Sequence, residues 1–374
     1  MNYKNAMIYT EKFCFEKGAF SVDDGKFCNV LGAEQADAVD LEGAYVIPGL
    51  IDVHNHGNSG ADFSDGDSAG VEKMARYLAR NGVTSFAPAS MTLPYETLKK
   101  AFAAAREFVD RKLPDAAVLR GIQMEGPFFA EAKKGAQNGA YLRLPDYEAF
   151  TELNRSCGGL VKIVDVAPEL DGAEAFIRKA RRDCTVSIAH SDADYEAARR
   201  GIAAGVTHLT HLYNAMPGLH HRKPGTIAAA AEAEQVSAEI ISDGYHVHPA
   251  MVRLAFRLFG AARMVLISDA LRCCGMPNGE YELGGQQVYL NGGVAKLADG
   301  TLAGSVTNLY DCMLRAISFG IPREEAVRAA TYNPARQIGA LDEVGSITDG
   351  KRADFVLCDA ALQRKQVCLG GRML

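Results

Sequence analysis

Eight apolar, strand-like runs alternate with helical segments through the middle of this chain, and that alternation restricts the fold more than any single motif. The runs are AYVIPGLIDVH, VTSFAPAS, AVLRGIQMEG, LVKIVDVAP, TVSIAHSD, VTHLTHL, SAEIISDGYH and RMVLISDA. Segments of helical composition lie between them, among them SAGVEKMARYLARNG, YETLKKAFAAAREFVDRK, GAEAFIRKARRD, DYEAARRGIAAG and HPAMVRLAFRLFG. Strands joined through helices run parallel, with right-handed crossovers. Eight such units over roughly 250–300 residues fit a closed (β/α)8 TIM-like barrel. The rival, an open doubly wound sheet, wants a glycine-rich phosphate turn after its first strand, and HNHGNSGADFSDG is a poor match to one.

The chain has 374 residues, which leaves both ends over. The stretch up to about Val46 and the closing GSITDGKRADFVLCDAALQRKQVCLGGRML read as short strands separated by glycine and aspartate turns. We expect them to pair into a small β-sandwich domain built from both termini, residues 1–48 plus 346–374, beside a barrel domain of residues 49–345. FFAEAKKGAQNGAYLRLPDYEAF, between the third and fourth strands, reads as a long loop, and long loops after barrel strands tend to be functional.

Composition narrows the partners. A net charge of −6 gives no basic field for nucleic acid. No apolar run reaches the roughly 18–20 residues of a membrane span. The start, MNYKNAMIYTEKF, lacks the basic-then-apolar pattern of a signal peptide. Nine scattered cysteines with no CxxC pair suggest reduced thiols and a cytoplasmic protein. Cys273 and Cys274 read as packing residues.

The strands finish on polar residues. The first ends in His54 and His56, the third in Glu125, the fifth in His190, the sixth in His211 and the eighth in Asp269, while the seventh leads into His246. Each alone has an ordinary structural reading: a hydrogen-bonded histidine, a carboxylate capping the next helix. In a parallel barrel, however, the C-terminal strand ends converge on the face where such barrels do chemistry. Independent accidents would not all fall there. Histidine and carboxylate ligands suit Zn²⁺ or Fe²⁺, and the lack of nearby thiolates argues against a structural zinc site.

These residues sit in PGLIDVHNHG, QMEGPFF…KKGAQN, AHSDA, HLTHLYNAMPGLHHRKPG, ISDGYHV, LISDA, LAGS and NPARQIGALDEVGSITDGKRADFVLCD. Nearly end to end, the chain resembles the N-acetylglucosamine-6-phosphate deacetylases of the amidohydrolase superfamily. The resemblance implies metal ligands at Glu125, His190 and His211 and a catalytic acid/base at Asp269. His54 and His56 fall on the H-x-H of the two-metal members, where Glu125 would bridge the ions; other members lack the pair and use one. It implies substrate contacts at Ala136 and Gln137, at Asn214 and Ala215, at His246, and at Leu302, Ala303 and Gly304 in a loop that closes over the ligand. Arg222 falls on the phosphate-binding arginine. Gln137 stands where some members have histidine, so it keeps a donor but loses a titratable group.

The resemblance therefore implies metal-dependent hydrolysis of the acetamide of N-acetyl-D-glucosamine 6-phosphate, one or two Zn²⁺ or Fe²⁺ ions per subunit, and a homodimer. The rivals are the galactosamine epimer, another amidohydrolase substrate, or a barrel that has lost catalysis and serves as a scaffold. Arg272 reads as a solvated arginine at a helix start. His220, His221 and His248 are background. His208 lies three residues before His211, and strand alternation would turn it away from the metal, toward the helices.

Overall fold

The computed structural model describes all 374 residues. Its barrel strands are β1 (Leu50–Asn55), β2 (Val83–Pro88), β3 (Ile122–Met124), β4 (Val161–Val166), β5 (Thr185–Ile188), β6 (His208–Leu209), β7 (Ser237–Ile241) and β8 (Met264–Ile267). β1 pairs in parallel with β2, and β3 through β8 pair in parallel in chain order. A parallel bridge between Ala89 and Gln123 joins β2 to β3. The amide of Asp269 donates to the carbonyl of His54 at 2.9 Å and joins the end of β8 to β1. Each of the eight runs thus contributes a barrel strand.

A helix follows each strand: α1 (Ser68–Arg80), α2 (Tyr95–Arg111), α3 (Tyr147–Ser156), α4 (Ala173–Ala180), α5 (Tyr195–Ala204), α6 (Gly225–Glu232), α7 (Pro249–Phe259) and α8 (Leu309–Ser318). α1 shows why. Val71, Met74, Ala75, Leu78 and Ala79 recur at three- and four-residue spacing and are its buried face. Asp67 accepts from the Ala69 and Gly70 amides at its start, a cap worth about 1 kcal/mol. Asp146, Asp194 and Asn308 cap α3, α5 and α8 in the same way. α3 occupies the end of the segment expected to be a loop: the loop stops at Asp146, and Tyr147 onward is helical. α6 went unread because GTIAAAAE carries no apolar periodicity.

The first run divides. Tyr45–Pro48 belongs to the terminal sheet and Leu50–Asn55 to the barrel. The terminal sheet has eight strands, five from the N-terminus and three from the C-terminus, and Phe355–Cys358 pairs antiparallel with Tyr45–Pro48 across the seam. It is curled. Lys26–Cys28 and Phe355–Cys358 lie four strands apart in the sheet order, about 19 Å if flat. Yet the Phe27 and Phe355 ring centroids are 5.8 Å apart. Folding the sheet on itself gives this unit its own core, built on Tyr3, Phe20, Phe27 and Phe355.

After β8 comes an antiparallel three-stranded sheet, Gly279–Leu283, Gln286–Asn291 and Val294–Leu297. Its turns are Gly284–Gly285 and Gly292–Gly293, all at positive φ between 55° and 83°. That conformation suits two-residue hairpins whose turn matches the strand twist, and it demands glycine. This sheet ends in the segment that carries Thr301 to Gly304.

Candidate active site

The C-terminal strand ends meet in a cavity of about 270 Å³, at the small end of the range for small-molecule pockets. His56, Glu125, His190, His211 and Asp269 line its floor. Ala136 and Gln137 enter from the β3–α3 loop, Asn214 and Ala215 from the loop after β6. His246 and Leu302 to Gly304 form the remaining wall. Met91, Gly135, Leu283 and Thr301 also line it and had no sequence signal. His54 lies behind the lining, fully buried.

Two sets of donor atoms converge. Glu125 Oε1 is 3.1 Å from both His190 Nε2 and His211 Nε2, which are 3.2 Å from each other. Glu125 Oε2 is 3.3 Å from His56 Nε2, and Glu125 Oε1 is 3.7 Å from His54 Nε2. Each set of three ligand atoms, His54/His56/Glu125 and Glu125/His190/His211, lies within 4.8 Å. Asp269 Oδ1 stands 3.3 Å from His56 Nε2 and 3.7 Å from His54 Nε2.

The tautomers follow from the acceptors behind the rings. His190 Nδ1 faces the Lys133 carbonyl at 2.8 Å, His56 Nδ1 the Ala89 carbonyl at 3.2 Å, and His54 Nδ1 the Glu239 carboxylate at 3.0 Å. Each Nδ1 therefore carries the hydrogen, and each Nε2 points into the cluster. Phe129 stacks on His190 at 4.5 Å and fixes its ring plane. His54 Nε2 has no hydrogen-bond partner although it is fully buried. An orphan of this kind costs free energy unless something fills the gap. A divalent cation fits, since the donors are imidazole nitrogens and carboxylate oxygens.

The electrostatics agree. Burial opposes charge on His54, but Glu239 and Glu125 outweigh it and push its pKa up to about 10. His56 is raised well above its usual value, with burial overridden by Asp269 and Glu125. Burial would raise Glu125 and Asp269, yet the surrounding histidines hold both carboxyls below the usual range. Carboxylates that are dry and ionised need positive charge beside them; a cation supplies what protons on His54 and His56 supply in the bare chain.

Gln137 is clamped between two partners. The Thr92 amide donates to Gln137 Oε1 at 2.7 Å, which fixes the side-chain orientation, and Gln137 Nε2 donates to Glu125 Oε2 at 2.8 Å. His246 has acceptors on both nitrogens: Asp243 Oδ2 at 2.7 Å and the Ala303 carbonyl at 2.9 Å. Both nitrogens donate only as the imidazolium. Burial works against that charge, but Asp243 outweighs it and raises the His246 pKa; burial likewise would raise Asp243, and His246 lowers it.

Comparison with known proteins identifies the scaffold. A model described as the amidohydrolase family matches residues 45–372. The chain belongs to the amidohydrolase family. A Bacillus subtilis N-acetylglucosamine-6-phosphate deacetylase is 35% identical over 363 residues, 95% of this chain and 92% of that protein. An Escherichia coli O157:H7 N-acetylgalactosamine-6-phosphate deacetylase is 35% identical, over 87% of this chain and 86% of its own. A mutant N-acetyl-D-glucosamine-6-phosphate deacetylase from Mycobacterium smegmatis, solved in complex with N-acetyl-D-glucosamine-6-phosphate, has a TM-score of 0.92 and 31% identity, covering 100% of this chain and 98% of that one.

On this amidohydrolase barrel, one expected site residue stands apart from the cavity and two other expectations change. Arg222 does not line the cavity; it is exposed, and its Nη1 lies 2.8 Å from His221 Nε2. Arg272 is not solvated at a helix start: it is partly buried and pairs with Asp65 Oδ1 at 2.7 Å. His208 does not face the helices. It is fully buried, with Nε2 3.0 Å from Glu239 Oε1, and Glu239 in turn holds His54. Alternation failed because β6 ends at Leu209 and His211 turns to φ 30°. His208 and Thr210 share the inner face instead. Asp243 and Glu239 were also missed, although a charged residue inside SAEII was a usable signal.

Proposed function

We propose that this amidohydrolase deacetylates N-acetyl-D-glucosamine 6-phosphate, giving D-glucosamine 6-phosphate and acetate in amino-sugar catabolism. The observation that carries the reading is the convergence of Glu125, His190, His211, His56 and Asp269 on one small cavity, with His54 directly behind them. The relatives and the solved structure named above support it. The galactosamine epimer is the second reading, favoured by the E. coli relative at the same 35% identity.

Glu125, His190 and His211 would hold one Zn²⁺ or Fe²⁺, and His54, His56 and Glu125 a second. A divalent cation there supplies a Lewis acid and lowers the pKa of nearby water toward about 7. Asp269 takes the proton from the attacking water and returns it to the leaving amine nitrogen, serving as base and then acid. Its Oδ1 faces the histidine cluster, and its backbone is tied to His54 and Ser305 by hydrogen bonds. His246, held by Asp243, presents a cation to the acetamide or the sugar once Ala303 yields its carbonyl contact. Asn214 and Ala215 hold the sugar phosphate, and the partner subunit's Arg222 would bind it from across a dimer interface, where its planar fork matches phosphate oxygens. Binding energy at the phosphate then positions the reacting amide.

A homodimer belongs to this proposal, because Arg222 stands outside the cavity of one chain. A cytoplasmic setting also belongs to it, supported by nine free cysteines. No helix is long and apolar enough to cross a membrane.

The test is elemental analysis together with acetate release from N-acetylglucosamine 6-phosphate and its galactosamine epimer. One or two equivalents of Zn or Fe with acetate from the glucosamine compound is the expected result. Acetate from the epimer alone would select the second reading. Loaded protein that cleaves neither sugar would refute the substrate.

A further inference from the structure

A buried carboxylate lies one layer below the cluster. Glu239 on β7 is fully buried and spends both oxygens. Oε2 is 3.0 Å from His54 Nδ1 and accepts from the His211 amide at 3.2 Å; Oε1 is 3.0 Å from His208 Nε2. Rotating the carboxylate would break all three contacts. His208 has no other partner: its Nδ1 is buried and unpaired. An apolar side chain of similar volume would fill this place without the cost of burying a charge. The arrangement needs a reason beyond packing.

We infer that Glu239, braced by His208, is the positioning residue that commits His54 to the second cation. The inference rests on the reading of His54, His56 and Glu125 as a cation site. An acceptor on Nδ1 puts the hydrogen there and leaves the Nε2 lone pair facing the gap. Across that gap His54 Nε2 is 3.7 Å from both Glu125 Oε1 and Asp269 Oδ1, too far for hydrogen bonds. Without Glu239 the ring is free to take the other tautomer, with a hydrogen on Nε2 where the cation should sit. Acceptors behind metal-bound imidazoles typically govern affinity by about 10–100-fold. The same carboxylate steadies the backbone at His211, so one group underlies both candidate ion sets.

The test is equilibrium dialysis of metal-free, full-length protein against Co²⁺, with H54N as the control that loses the second cation. Glu239→Met should keep the first cation and bind the second about 10–100-fold more weakly. Glu239→Gln should restore most of the affinity, because its amide oxygen still accepts from His54 Nδ1 and its NH₂ can face a re-tautomerised His208. His208→Leu should weaken the second site without removing the first. Glu239→Met with wild-type affinity for two cations would overturn the inference, as would wild-type protein that binds one cation with or without His54. Should Glu239→Met not fold, ¹⁵N NMR of histidine-labelled wild type decides: a cation-loaded His54 with its hydrogen on Nδ1 supports the inference, and hydrogen on Nε2 refutes it. Two-site binding without acetate release would sink the deacetylase reading and leave this one intact.

Discussion

Adding one methyl group at Gly304 should damage turnover while leaving the fold and the ions in place. A Cβ there would stand 2.6 Å from the Asp269 carbonyl oxygen, 2.9 Å from its Oδ1 and 2.9 Å from Leu271 Cδ2. Ordinary contact begins at 3.4 Å, so the carbonyl contact alone demands about 0.8 Å of movement, the scale of an overpacking substitution. Neither side gives easily. The Ser305 amide donates to the Asp269 carbonyl at 2.6 Å, and the Asp269 amide is bonded to His54. The Asp269 backbone also sits at φ 49°, where a non-glycine residue has little freedom. The displacement therefore passes to the carboxylate. About 1 Å of misplacement costs on the order of 100-fold in rate, so Gly304→Ala should lower kcat about 10–40-fold.

The assay is steady-state acetate release with metal content and thermal unfolding measured on the same preparation. Overpacking should cost about 1–3 kcal/mol of stability, and both cations should be retained. A wild-type kcat with a raised KM would refute the reasoning, because it would mean that the 303–305 segment moved and Asp269 did not. Loss of metal would refute it too, by tracing the defect to the histidine cluster.

Asp269→Asn should retain metal and lose about 10²–10⁴-fold in kcat, read by turnover beside elemental analysis. Gln137→Ala strips the Thr92 amide of its acceptor and Glu125 of its donor; urea unfolding should show about 1–3 kcal/mol lost per orphaned group. Asp243→Asn tests the buried pair with His246: the raised histidine contributes fully below its usual 6.5 and is lost as pH rises through its folded pKa, while the lowered Asp243 contributes above 3.8 and is lost as pH falls through its own. Wild type should therefore exceed the variant in stability most between those limits, and an advantage that did not vary across a pH series of unfolding curves would count against the pair. Arg222→Ala should raise KM for the phosphorylated sugar and spare an unphosphorylated analogue; equal harm to both would remove Arg222 from phosphate binding.

The barrel was legible because helix and strand periods differ so plainly. VTSFAPAS and LVKIVDVAP are mostly apolar, β-branched-rich runs of strand length with no helical period, as buried parallel strands show, and SAGVEKMARYLARNG is amphipathic at helical spacing. The three-stranded insertion was not read, although EYELGGQQVYLNGGVAKL carries two Gly-Gly turns between alternating residues. The joint inside the first run was hidden for a different reason. Tyr45–Pro48 and Leu50–Asn55 are both apolar and extended, and only tertiary pairing assigns them to different sheets.

The reading of His208 failed at the point where the backbone leaves the strand, and that failure reveals how the site is built. His190, His211 and Asp269 all adopt positive φ, at 45°, 30° and 49°. Side-chain alternation holds only while the pleat lasts, and each of these residues comes just after it ends. The left-handed turn aims the side chain across the barrel mouth. A non-glycine residue pays for that conformation with about 1–3 kcal/mol of strain, which persists only when surrounding contacts fix it. Those contacts are present: the Ala130 amide to the His190 carbonyl, the Asn214 amide to the His211 carbonyl, and Asp269 tied to His54 and Ser305. Below this layer the pleat is intact, and there alternation does predict orientation. Gln123 donates to Asp165, Thr210 donates to Asp165, and Ser187 pairs with Thr210, all inside the barrel. The polar residues of the strands therefore divide into two tiers with different rules. The lower tier obeys the two-residue period and supports; in the upper tier His190, His211 and Asp269 break it to reach the cavity, while His54 and His56 keep it.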